Sequence, residues 1–172
     1  TNERGAIVVN DTCESSVPSV YAVGDVNGGP QFTYISLDDF RIVFGALTGN
    51  SQYTLKDRKN IPYTTFLTPP LARVGLTEED AINKGYTVKT KEMLVATMPR
   101  AHVNDYLKGA FKIVVDAENN LILGATLYSQ GAEELINLIK MAMDNNIPYT
   151  YFKNQIFTHP TMAENLNDLC NF

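Results

Sequence analysis

Hydrophobic positions repeat every three or four residues in two stretches of the chain, and each stretch predicts a helix. The first covers residues 33–47 and is followed by Gly49, a common stop signal. The second covers residues 131–145, and its apolar stripe is wide enough to need two packing partners. One partner can be a sheet, and the other could be a second copy of the chain. The stripe comprises Leu135, Leu138, Ile139 and Ala142, widened by Ile136 and Met143.

Short runs of β-branched and apolar residues predict strands elsewhere. Two such runs, residues 6–9 and 20–23, lie near the start of the chain. Five more follow, and the turn-rich segment 116–120 between the last two favours an antiparallel hairpin. The pattern therefore predicts an α+β fold with an antiparallel sheet and flanking helices. The five later strands are predicted at 64–67, 73–76, 87–98, 110–116 and 121–128.

A third, shorter helix is predicted between two of these strands. Thr77 can cap its N-terminus, acidic residues fill its first turn, and Gly85 marks its end. The polar residues 51–61 show no such periodicity and predict a linker. The chain would then consist of a region at 1–50 and a second domain at 62–172.

Composition and charge restrict the classes of partner. A chain of 172 residues with 44% hydrophobic content can bury a sizeable core. A net charge of −5 argues against a nucleic-acid or anionic-membrane partner. Neither a membrane-spanning run nor a signal peptide is recognisable, so a cytoplasmic location is expected. Because the chain starts abruptly at a predicted strand, we expect it to be a piece of a longer polypeptide.

The cysteines do not predict a redox or metal site. Cys13 and Cys170 are the only two, and they are far apart in sequence, which fits a reducing compartment. Neither forms a CxxC motif, and neither has metal-ligand spacing with His102 or His159. Structural or incidental cysteines are the expected interpretation, and no metal site is predicted.

The segment from His159 to Glu164 is a candidate acid/base site. Glu164 can accept a hydrogen bond from one imidazole nitrogen of His159, which leaves the other nitrogen to exchange protons. The alternative is a surface histidine beside a helix that starts at Thr161, with Glu164 completing a capping box. Either interpretation suits the spacing, and the alternative is the more common one.

Asp25 is a second candidate because it lies at the end of an apolar run. A carboxylate in that position can accept hydrogen bonds from ligand hydroxyls, and the helix that follows would point its positive end at the same place. An ordinary turn before Gly28 and Gly29 is the alternative. No GxSxG nucleophile is present to make His159 part of a hydrolase, and neither GxGxxG nor a Walker sequence occurs.

Four motifs follow one another along the chain, at residues 20–25, 31–33, 69–70 with 74–78, and 159–164. Taken in this order, they resemble the C-terminal part of a class I flavoprotein disulfide reductase, the family of glutathione reductase, lipoamide dehydrogenase and mercuric reductase. The resemblance implies that residues 1–50 end an FAD-binding domain and that 62–172 form the domain that dimerises the enzyme.

The resemblance also implies roles for individual residues. His159, oriented by Glu164, would protonate a thiolate leaving group in the active site of the partner subunit of a homodimer. The His159–Pro160 peptide would be cis. FAD would be contacted along this chain at Asp25, Gly24, Gln31, Phe32 and Thr33.

Residues 29–41 and 156–169 resemble more closely the bacterial reactive-chlorine-resistance subgroup, relatives of mercuric reductase. That subgroup reduces hypothiocyanous acid, and copper(II) reduction has also been proposed for it. The paired C-terminal cysteines of mercuric reductase are missing, since Cys170 stands alone.

The family's redox cysteines, FAD phosphate motif and NAD(P) domain would all precede residue 1. The fragment alone is therefore expected to be inactive and to retain neither FAD nor NAD(P)H. Its substrate in the complete enzyme would be a small-molecule oxidant or disulfide. The rival hypothesis is a non-catalytic dimerisation or interaction module.

Overall fold

The computed structural model describes all 172 residues and contains two compact units, Thr1–Lys59 and Asn60–Phe172. The first unit is built around α1 (Thr33–Leu47), whose bounds agree with the prediction. Ile35 and Ile42 lie on its buried side, together with the charged residue Asp39. Short 3-10 turns at Gly24–Asn27 and Leu55–Asp57 complete the regular structure of this unit.

The two strands predicted near the start of the chain are wrong. Only isolated bridges form there, between Val9 and Ser15 and between Glu14 and Tyr21. The backbone N–H groups of these segments are satisfied singly, as in the bonds from Ile7 to the Val26 carbonyl oxygen and from Ala22 to the Cys13 carbonyl oxygen. A strand needs a neighbour that pairs along its length, and within the unit these segments have none.

The second unit contains the predicted five-stranded antiparallel sheet, in the order β1-β2-β5-β4-β3. The hairpin expected around 116–120 joins β4 to β5, in register from Ala110 opposite Tyr128. Gly124 is required in β5 because a Cβ there would lie 2.1 Å from the Leu76 carbonyl oxygen. The strands are β1 (Tyr63–Thr65), β2 (Leu71–Gly75), β3 (Val88–Leu94), β4 (Ala110–Asp116) and β5 (Ile122–Tyr128).

One predicted strand is too long. β3 ends at Leu94 rather than at residue 98, because the chain turns into a 3-10 segment, Val95–Thr97, and then into a short helix that begins at Pro99. Proline lacks the N–H that a strand ladder needs and suits the first helical position. The helices of this unit are α2 (Glu78–Asn83), α3 (Pro99–Val103), α4 (Ala132–Asp144), α5 (Tyr149–Asn154) and α6 (Asn165–Leu169).

The core of the second unit lies between its sheet and helices. α4 packs against β2 and β5 with the predicted apolar stripe, while α6 packs against α5, β3 and β4. Burying these side chains is the main favourable contribution to the stability of the unit. No helix in either unit is both long and apolar enough to cross a membrane. Fully buried members of this core include Phe111, Ile113, Leu127, Ile139, Leu166 and Leu169.

Candidate functional site

His159 and Glu164 meet in the loop between α5 and α6. The His159 Nδ1 atom lies 2.8 Å from Glu164 Oε2. The imidazole is 69% exposed, whereas the carboxylate is only 18% exposed. His159 Nε2 makes no hydrogen bond, so one nitrogen is oriented and the other is available to a ligand. The His159–Pro160 peptide is cis, as predicted.

The two oxygens of Glu164 have different partners. While Oε2 contacts the imidazole, Oε1 accepts a hydrogen bond from the Thr161 backbone N–H at 3.2 Å. Thr161 Oγ1 in turn accepts one from the Glu164 N–H at 3.2 Å. The two interpretations of this segment are therefore compatible, because one carboxylate both closes a turn and contacts His159. The helix itself begins at Asn165 and not at Thr161.

In the first unit, Asp25 lies on the 3-10 turn Gly24–Asn27 with its side chain exposed. Gly24 precedes it with φ of +71°, and a Cβ at this position would lie 2.5 Å from Ser36 Oγ. Only glycine allows both the left-handed backbone and this close approach to α1. The turn that carries Asp25 is thus held close to the first turns of α1.

The N-terminus of α1 has no side-chain cap. Its N-cap residue, Phe32, makes no side-chain hydrogen bond to the first turn. The ring of Phe32 instead stacks on Tyr34, with centroids 5.0 Å apart. Gln31 and Thr33 on either side are exposed. The positive end of the helix dipole favours an electron-rich ligand here.

Asp39 is fully buried in α1 and connects three parts of the first unit. Its Oδ2 atom accepts hydrogen bonds from the Gly24 N–H at 2.8 Å and from Asn27 Nδ2 at 2.9 Å. Its Oδ1 atom is paired with the Arg58 guanidinium. Arg58 also donates to Asp38 through Nε at 2.7 Å. The Asp25 turn is therefore tied to a buried ion pair.

Charge and burial act in opposite directions on Arg58. Burial lowers the pKa of its guanidinium, but hydrogen bonds and charges from Asp39 and Asp38 outweigh burial and raise the pKa above its usual value. Arg58 therefore stays charged and compensates the buried carboxylate. This residue lies in the segment predicted to be a linker.

The two cysteines are buried and free. Burial, reinforced by the charge of Asp39, raises the pKa of the Cys13 thiol to about 11. Burial raises that of Cys170 to about 12. Both remain protonated near neutral pH, and a protonated thiol is a poor nucleophile and metal ligand. No group of three His, Cys, Asp or Glu side chains comes together to hold a metal ion.

The comparison with protein families decides the assignment. Residues 61–170 match the family described as pyridine nucleotide-disulphide oxidoreductase, dimerisation domain. Residues 1–39 match a second family, described as pyridine nucleotide-disulphide oxidoreductase. The chain belongs to the pyridine nucleotide-disulphide oxidoreductase family. The predicted family is confirmed.

Curated members of this oxidoreductase family cover almost the whole chain. The chain is 49% identical over 168 residues to the probable pyridine nucleotide-disulfide oxidoreductase RclA of Escherichia coli. The aligned region covers 98% of the chain and 38% of RclA. It is 36% identical over 166 residues to a mercuric reductase of Lysinibacillus sphaericus, covering 96% of the chain and 30% of that protein. The chain thus spans less than two fifths of the length of these relatives.

Solved structures of the oxidoreductase family confirm the predicted fold. The HOCl-induced flavoprotein disulfide reductase RclA from Escherichia coli superposes with a TM-score of 0.95 and 48% identity, over 98% of this chain and 39% of that one. LpdA from Mycobacterium tuberculosis superposes with a TM-score of 0.86 at 20% identity. The superposition covers 96% of this chain and 36% of LpdA, and it supports the fold alone.

Several side chains around the candidate sites were missed from the sequence. Asp39 and Arg58 are 19 residues apart, and their pairing has no local sequence signal. Asn165 and Asn167, close to Glu164, were not singled out either, although Asn165 is buried and both donate to backbone carbonyls. The one available clue was the position of Asp39, four residues after Ile35 and three before Ile42 on the same helix.

Proposed function

We propose that this chain is the C-terminal and dimerisation region of an FAD-dependent, NAD(P)H-linked disulfide-type oxidoreductase, with His159 as its acid/base group. The observation that carries the proposal is the 2.8 Å contact of His159 Nδ1 with Glu164 on an imidazole whose Nε2 is free. The family matches at residues 1–39 and 61–170 support assigning 1–50 to an FAD-binding domain, 51–61 to a linker and 62–172 to the dimerisation domain.

In this proposal His159 Nε2 is the atom that gains and loses the proton. Glu164 accepts the Nδ1–H bond, holds the ring in one orientation and stabilises the imidazolium charge. A positioned general acid of this kind contributes about 10²- to 10⁴-fold to a rate. Thr161 donates to the other oxygen of Glu164 and keeps the carboxylate in place.

The proposed assembly is a homodimer in which His159 acts in the active site of the partner subunit. Exposed apolar side chains next to the loop support a buried interface here. Ile156, three residues before His159, is 95% exposed, and Tyr151 on α5 is also exposed. Single exposed apolar residues are common, but several beside a functional loop are typical of an interaction surface.

The residues of the first unit fit one edge of an FAD site. The exposed Asp25 carboxylate can accept hydrogen bonds from ribityl hydroxyls, and Gly24 lets the turn that carries Asp25 lie close to the start of α1. The start of α1, with the exposed residues Gln31 and Thr33 on either side of Phe32, presents the positive end of its dipole to the flavin. When bound, FAD would supply the electron path from NAD(P)H to a redox dithiol. With only this edge, the 172 residues alone are expected to retain no FAD.

The dithiol must come from another part of the enzyme, because Cys13 and Cys170 are buried and protonated near neutral pH. For hypothiocyanous acid, HOSCN, one thiolate would attack the sulfur and break the S–O bond. The oxygen would leave as water after taking the proton from His159 Nε2. The second thiolate would then displace thiocyanate and close the disulfide. The HOCl-induced relative supports an oxidant of this class.

The test compares His159→Gln with His102→Gln in the full-length enzyme. His102 is the other histidine of the chain and contacts the Ala96 carbonyl oxygen at 2.8 Å. Stopped-flow absorbance measures flavin reduction by NAD(P)H and reoxidation by HOSCN separately. His159→Gln should slow reoxidation by about 10²- to 10⁴-fold and leave flavin reduction unchanged. His102→Gln should change neither rate.

Normal reoxidation in His159→Gln would contradict the acid/base role. It would favour the alternative, in which this region is a non-catalytic dimerisation or interaction module.

A further inference from the structure

We propose that Asn165 and Asn167 are positioning residues for His159, because their carboxamides hold the two ends of the loop that carries it. The inference rests on the proposed acid/base role of His159 and adds the side chains that place its ring. Neither residue touches the imidazole. Both lie on α6, directly after Glu164.

Asn167 holds the start of the loop. Its Nδ2 atom donates to the Phe152 carbonyl oxygen at 2.6 Å and to the Gln155 carbonyl oxygen at 2.9 Å. Phe152 lies in the last turn of α5 and Gln155 is the C-cap residue, a region where a helix has more carbonyl acceptors than backbone donors. Asn167 therefore caps α5 from a different helix and determines where the chain leaves it.

Asn165 holds the end of the loop. It is buried, and its Nδ2 atom donates to the Thr161 carbonyl oxygen at 3.2 Å and to the Met162 carbonyl oxygen at 3.0 Å. The turn at Thr161 is the one whose N–H contacts Glu164. The same turn is thus fixed by the carboxylate on one side and by a carboxamide on the other.

The helix that carries both asparagines is itself firmly placed. Leu166 and Leu169 of α6 are fully buried in the core. At the other end of the helix, Lys91 Nζ of β3 donates to the carbonyl oxygens of Asp168 at 2.7 Å and Asn171 at 2.6 Å. The asparagines thus link the loop to the sheet and core.

Within residues 156–160, Phe157 packs against the core, whereas Ile156 and His159 are both largely exposed. The exposed imidazole gains no such packing of its own. Its position therefore depends on the hydrogen bonds at the two ends of the loop together with the packing of Phe157. General acid catalysis needs the donor within hydrogen-bond reach of the leaving group, so a displaced loop loses rate even when the His159–Glu164 pair survives.

The test uses Asn167→Ala and Asn167→Asp in the full-length enzyme, with Asn145→Ala as the matched control. Asn145 makes the same kind of bond, from Nδ2 to the Met141 carbonyl oxygen at 2.8 Å, at the end of α4. Asn167→Asp keeps the shape but turns a carboxylate towards carbonyl oxygens. The measurements are the two flavin half-reactions, with NADH or NADPH and then HOSCN, hydrogen exchange of residues 155–164, and the melting temperature.

Both Asn167 variants should slow reoxidation by about 10- to 100-fold, the loss expected from a misplacement of about 1 Å. They should also speed hydrogen exchange in the loop while leaving flavin reduction and the melting temperature near those of Asn145→Ala. Normal reoxidation in both variants, alongside slow reoxidation in His159→Gln, would overturn the positioning role and leave the proposed function intact. Equal slowing of both half-reactions would also overturn the positioning role, because it would indicate a general structural defect. Normal reoxidation in His159→Gln would remove both proposals.

Discussion

At the scale of single residues, the buried pair of Asp39 and Arg58 is the strongest constraint in the first unit. Asp39 is fully buried, so its charge depends on the guanidinium and on the donors of Gly24 and Asn27. A buried ion pair is costly to form, and removing one partner leaves an uncompensated charge.

We therefore expect Arg58→Ala to lower the free energy of unfolding of the first unit by about 3–5 kcal/mol. Urea denaturation of the 172-residue chain, followed by circular dichroism, measures the change. The matched control is Lys56→Ala, since Lys56 pairs with Asp11 at the exposed surface of the same unit. An Arg58→Ala variant as stable as Lys56→Ala would contradict the importance of the buried pair.

Sequence reasoning at this scale found residues whose partners are close in sequence. His159 and Glu164 are five residues apart, so their contact could be predicted from spacing. Other contacts join residues that are 15 or more positions apart and come together only in the folded chain, as Asp39 does with Arg58 and Asn167 with Phe152. Their hydrogen bonds depend on tertiary structure, which local patterns do not encode.

At the scale of elements, the predicted cap of α2 is present. Thr77 Oγ1 accepts a hydrogen bond from the Asp80 N–H at 3.0 Å and donates to Asp80 Oδ2 at 2.6 Å. These bonds satisfy donors that the helix itself leaves unpaired. Thr77→Ala is expected to lower the free energy of unfolding of the second unit by about 0.5–2 kcal/mol, measured by urea denaturation.

This effect should depend on pH. The hydrogen bonds from Thr77 lower the pKa of Asp80 below its ordinary value of 3.8. A carboxyl group with a lower pKa in the folded state stabilises the fold above its unfolded pKa, and this contribution is lost as the pH falls through the folded pKa. The difference in free energy of unfolding between wild type and Thr77→Ala should therefore be constant near neutral pH and become smaller below pH 3.8. A gap that stays constant into this acid range would contradict the capping role of Asp80.

The elements whose bounds were predicted most accurately have long, regular patterns or a turn signal. α1, α4 and the hairpin of β4 and β5 each show a clear period or a turn signal. α3 and α5 were missed, and α6 was expected only in the alternative interpretation and from Thr161, because helices of five or six residues are too short to show a 3.6-residue period. α2 is equally short but has a side-chain cap, which the other three lack. Their stability comes from packing in the core rather than from intrinsic propensity.

At the scale of the whole molecule, the pattern of strands and helices was sufficient for the fold class but not for the family. The antiparallel sheet was predicted from the short turn-rich segment 116–120 between two strands. The family was predicted from four motifs in a recognisable order. The match of residues 61–170 to a dimerisation domain raises the question whether His159 completes an active site across a subunit interface.

Mixed dimers answer this most directly. One full-length subunit carries His159→Ala, the other carries serine in place of the redox cysteines and keeps His159, and the mixed dimer is isolated with two different affinity tags. Each parent dimer should be inactive. The mixed dimer should oxidise NAD(P)H with HOSCN at about half the wild-type rate, because one of its two sites has both an intact dithiol and an intact His159. A mixed dimer as inactive as its parents would show that His159 does not act across the interface and would contradict the account.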